Sequence, residues 1–163
     1  MGIFDSIKAI FSISESENKA TKDKMKLFMK QALKKDNLDG FELVYGKLAE
    51  NKDNLVVRKT EYHNYVIAFN RQSSELIILP IDPKLASCGW PIFINNETLK
   101  KAKTVMYGTA YSIDLKDGDN IMFSTPAQNY KIGRILGAME VSIIQEKEVK
   151  SFKEFFNKKF KDN

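Results

Sequence analysis

Chemistry in this chain would have to pass through few residues. His63 is the single histidine and Cys88 the single cysteine. A histidine-based metal site or hydrolytic triad must recruit His63, which lies in a strand-like run between Tyr62 and Asn64. A nucleophilic Cys88 needs an open, electropositive setting and a base, and His63 is the base only if the fold joins them. The ordinary readings are a strand histidine and a small buried thiol. Beside Cys88, in Ser87-Cys88-Gly89-Trp90-Pro91, stands the single tryptophan. Trp90 is a candidate loop anchor for a ligand or partner, and a lid over the core is the competing reading.

The acidic residues do not form a calcium loop. Asn37 and Asp39 fall at ligand positions around Gly40, but Lys35 and Gly46 occupy the first and last positions, where acids are needed. Asp114, Asp117 and Asp119 suit a hairpin. No P-loop, dinucleotide fingerprint or nucleophile elbow is present, and no residue is assigned to catalysis, a cofactor or a metal. The expectation is a non-enzyme.

Composition frames the rest. The chain has 163 residues, 43% apolar and 29% charged, with net charge +5. That is the profile of a soluble domain long enough to build a core without disulfides or metals. One cysteine fits a reducing, cytoplasmic setting. The basic residues are nearly all lysine, with Arg58, Arg71 and Arg134 the exceptions. Lysine reads phosphate and base edges less specifically than arginine, so nucleic acid is not the expected partner. No apolar run approaches the roughly 20 residues that span a bilayer.

The elements follow from the periods. Residues 1–13 form an amphipathic segment in which Ile3, Phe4, Ile7, Ile10 and Phe11 share one helical face. These five are the candidate membrane or partner contact. The segment resembles membrane-surface peptides of the aurein type. That likeness implies docking with the apolar side in the lipid interface, and nearby lysines favour an anionic surface, such as the inner face of the cell membrane. Self-packing on this domain, or on a second copy in a homo-oligomer, is the alternative. Met1-Gly2-x-x-x-Ser6 also matches the myristoylation pattern.

Residues 14–20 read as a linker, and a single β-rich domain with flanking helices follows over 21–163. A helix is predicted over Thr21–Lys35, striped by Met25, Phe28, Met29, Ala32 and Leu33. Residues 39–48 fit a strand or a helix equally. Strands are predicted over Leu55–Lys59, Tyr62–Asn70 and Glu75–Ile81, the last ending near Pro80. Asp82–Pro91 reads as a loop. Asn95–Lys103 is a helical turn or a strand entry. One long strand, bent at Gly108, is predicted over Thr104–Leu115. Asp117-Gly118 marks a hairpin to a strand over Asn120–Thr125. Residues 126–146 have no clear period. Val149, Phe152, Phe156 and Phe160 line a closing helix, with Phe155 beside them.

The strand ending Ser112-Ile113-Asp114-Leu115, the Lys116-Asp117-Gly118 turn, the return strand Ile121-Met122-Phe123 and the phenylalanine helix together resemble bacterial pleckstrin-homology-like domains. The resemblance implies an α+β fold: a β-sandwich or partly open barrel with a C-terminal amphipathic helix and, here, added N-terminal helices. It also implies a cytoplasmic module that binds a protein, peptide or lipid, without a cofactor.

Overall fold

The computed structural model describes residues 2, 12–54, 57–130 and 136–160. Ile3, Phe4, Ile7, Ile10 and Phe11 therefore lie outside the described residues.

The first helix, α1, spans Glu15–Leu33. Ser14 caps it: its Oγ accepts from the Glu17 N–H at 3.2 Å, and its own N–H donates to the Glu17 carboxylate at 2.9 Å. This reciprocal box satisfies two amide donors that a helix start leaves without partners. The stretch 14–20, expected to be a linker, is thus the cap and first turns of α1. Its polar ESENKA has no apolar stripe to announce it. The helix ends at Lys34, which takes the left-handed conformation (φ 53°) and donates its N–H to the Gln31 carbonyl.

The strands follow as β1 (Phe41–Asn54), β2 (Val57–Asn70), β3 (Leu76–Pro80), β4 (Ile92–Ile94), β5 (Leu99–Val105), β6 (Ala110–Leu115) and β7 (Asn120–Ser124). They form one antiparallel sheet in the order β4-β3-β2-β1-β7-β6-β5, which curls into a nearly closed barrel. The 39–48 alternative resolves as strand. The two strands expected within 55–70 are one continuous strand from Val57. The long strand expected over Thr104–Leu115 is a strand, a reversal and another strand. Met106, Tyr107 and Gly108 all take positive φ there, at 50°, 57° and 84°, so the chain turns back instead of bending. At the other hairpin the expected Asp-Gly turn forms, with Gly118 at φ 102° and the Leu115 N–H donating to the Asp119 carbonyl.

The closing helix, α2, spans Glu146–Lys159. It drives Phe152, Phe155 and Phe156, with Phe160 just beyond its end, into the barrel interior. There they meet Val44, Ile67, Phe69, Ile78, Tyr111, Ile113 and Phe123. The opposite face of β1–β3 carries Tyr45, Val66, Ala68, Ile77 and Leu79, and α1 covers it with Met25, Phe28 and Met29. Burial on both faces explains why β3 is a continuous apolar run. On β6 and β7 the outward positions are more polar: Asn120 Nδ2 bonds Ser112 Oγ at 3.0 Å and Asp114 Oδ1 at 2.5 Å.

Among the described residues of 126–130 and 136–145 are two short paired strands, β8 (Gln128–Asn129) and β9 (Ile143–Ile144). Side-chain hydrogen bonds fasten Pro126, Asn129, Glu140 and Gln145 to β1 or to one another. The Gln145 amide accepts from the Tyr45 N–H at 2.7 Å and donates to the Tyr45 and Pro126 carbonyls. Lys47 Nζ reaches Glu140 at 2.7 Å and Asn129 at 2.8 Å. Among the described residues no helix is long and apolar enough to cross a membrane.

Candidate functional site

The segment from Asp82 to Pro91 leaves the end of β3 and is itself built by hydrogen bonds. Asp82 Oδ1 accepts from the Lys84 N–H at 2.8 Å, an Asx turn. The Leu85 N–H donates to the Asp82 carbonyl and the Gly89 N–H to the Pro80 carbonyl, each at 2.8 Å. Cys88 bridges Ile81 and packs with Leu85 against the outer core. Loop and barrel are thereby tied at both ends, and Trp90 projects from the tie with 88% of its surface exposed. It is not a lid. Three residues on, Phe93 of β4 is 47% exposed and pairs across from Ile77. An exposed tryptophan on a braced loop is thus followed by a half-exposed phenylalanine on a short strand that ends the sheet.

A second pair of exposed apolar side chains is absent from the sequence reading. Met106 and Tyr107 form the β5–β6 reversal and are both largely exposed. Read as strand interior, Tyr107 carried no signal of being a tip.

His63 and Cys88 are not brought together. Side chains alternate along β2, so His63 shares the face of Tyr65 and Ile67, which lines the barrel. Cys88 packs on the opposite face of the sheet. His63 Nε2 stands 3.6 Å from a Glu50 carboxylate oxygen. With Glu61, these two form a group of donor atoms close enough to hold a metal ion.

A cavity of about 570 Å³ lies between α1 and the start of β1, lined by Lys22, Lys26, Lys30, Leu38, Phe41 and Gln145 among others. Lys22 is held at its rim by Glu148 at 2.5 Å. Elsewhere, Arg71 is braced by Glu42 at 3.2 Å, by Glu154 at 3.2 Å and by Ser151. Burial lowers the pKa of Lys159, whose ammonium donates to the Ser74 carbonyl.

Comparison of the chain with protein-family models, curated proteins and solved structures gave no match.

Proposed function

We propose that this chain is a non-catalytic binding module of pleckstrin-homology-like architecture, and that it recognises a protein or peptide partner through the surface around Trp90. The strand order and the helix that closes the barrel support the architectural part. The step from that architecture to binding is fold-level analogy. The observation that carries the reading is Trp90 itself: a large aromatic side chain held out to solvent by a loop that spends its own hydrogen bonds on staying in place. Tryptophan is enriched among residues that dominate binding energy, because it buries a large area at low entropic cost.

The test is capture by the immobilised full chain from a lysate of its source cells, with Trp90→Ala and Phe93→Ser in parallel. A specific partner retained by the parent and lost by Trp90→Ala, with unchanged circular dichroism, supports the reading. Identical capture by parent and variant rejects Trp90 as the anchor.

A further inference from the structure

We propose that Glu50, Glu61 and His63 form a binding site for a divalent first-row transition cation on the outer part of the β1–β2 hairpin. The two strands pair from Phe41↔Asn70 out to Asn54↔Val57. The neighbouring strands support only the base of that ribbon: β3 pairs with Tyr65–Phe69 and β7 with Lys47. Beyond this the hairpin is a two-stranded arm. Its register sets Glu50 opposite Glu61 and Leu48 opposite His63. Strand alternation then puts all three candidate ligands on one face, the continuation of the face that lines the barrel.

One donor atom from each residue lies within 4.8 Å of the others. Two ligands of a single ion at bonds of about 2.0–2.2 Å stand no more than about 4.4 Å apart. Small side-chain rotations therefore close the set. Like charges directly opposite on paired strands repel. His63 Nε2 is 3.6 Å from Glu50, and Lys59 Nζ is 3.5 Å from Glu61. A dication between the carboxylates turns the repulsion into attraction and ties β1 to β2 where the rest of the sheet gives no help.

The donor chemistry selects the ion. One imidazole nitrogen and two carboxylate oxygens suit zinc, manganese, iron or nickel better than calcium or magnesium. Three protein ligands leave a position for water or for a group from a partner.

The experiment is a zinc titration of the tag-free full chain at pH 7.5 by calorimetry, with the His63 ring protons followed by NMR. Because the chain has one histidine, that signal is unambiguous. The expected result is saturable one-to-one binding that moves the His63 resonances. Losing even an outer partner of a metal ligand costs about 10- to 100-fold in affinity, so His63→Ala and the double variant Glu50→Gln/Glu61→Gln should each weaken zinc at least that far. Cys88→Ser, which removes the thiol on the other face, should leave affinity unchanged. Zinc that leaves the His63 signal still, or binds His63→Ala as tightly as the parent, overturns the site.

Discussion

The Tyr45 hydroxyl donates to Asn64 Oδ1 at 2.5 Å, across the first two strands of the sheet. The same oxygen accepts from the Val141 N–H at 3.2 Å, so one buried phenol joins the barrel wall to the segment laid over it. Burial pushes the Tyr45 pKa far above its ordinary value of 10.0; the nearby Glu140 charge adds to this, and the Val141 bond opposes it. Burial raises Tyr65 and Tyr111 as well. A raised folded-state pKa means that the native protein keeps a proton the unfolded chain releases. These contributions are therefore intact below about pH 10 and fade as pH climbs toward the folded-state values. Urea midpoints should fall through that alkaline window. Tyr45→Phe should cost about 1–3 kcal/mol near neutrality by stranding buried partners and should flatten the alkaline slope. A slope equal to the parent's would show that Tyr45 does not contribute to it.

Gly46 lies opposite Tyr65 in the β1–β2 ladder, next to Lys47, where β1 also pairs with Ser124 of β7. A Cβ there would stand 2.7 Å from Ile67 Cδ1 and 3.1 Å from Phe123 Cδ2. Both neighbours are fully buried, so they have little space to yield. Gly46→Ala should destabilise by about 1–3 kcal/mol, as overpacking does. A urea midpoint at or above the parent's would mean that the position has room.

Phe152 is the centre of the inner core. Its ring meets Phe69 edge-on at 5.3 Å and Tyr111 at 5.0 Å. Phe152→Ala should cost about 3–5 kcal/mol, from lost burial and the cavity left behind. Phe152→Leu should cost distinctly less. Equal losses in chemical denaturation would show that ring geometry, not volume, is what the site demands.

Asn18 binds backbone as a strand would. Its Nδ2 donates to the Ile144 carbonyl at 3.0 Å, and its Oδ1 accepts from the Ile144 N–H at 2.8 Å. Asn18→Ala should cost about 1–3 kcal/mol by leaving partly buried backbone groups without a partner. Hydrogen exchange at Ile144 should quicken more than at Ile113 in the sheet. Uniform acceleration would point to global destabilisation instead.

These features divide by how far apart in sequence their causes lie. The phenylalanine ridge of α2, the Asp117-Gly118 turn and the stop at Pro80 are local, and each was legible in a few consecutive residues. Helix α1 was legible only where Met25, Phe28 and Met29 give it a stripe; the Ser14–Glu17 box extends it through residues with none. Strand β4 is three residues long, too short to show a period. The reversal at Met106–Gly108 uses left-handed methionine and tyrosine, which no turn rule would select. Trp90 stood out by type, but its exposure depends on how Asp82, Pro80 and Cys88 fasten the loop. The Glu50–Glu61–His63 group comes from cross-strand register, so no linear motif could reveal it.

Helix α1 is a cover as much as an element of the fold. Stripped of residues 12–35, the molecule would offer water a greasy band of Tyr45, Val66, Ile77 and Leu79, all of them wholly or almost wholly shielded in the intact protein. Bands of that kind find each other. A fragment cut there belongs with the precipitate, and a shortened version meant to stay in solution must keep its lid.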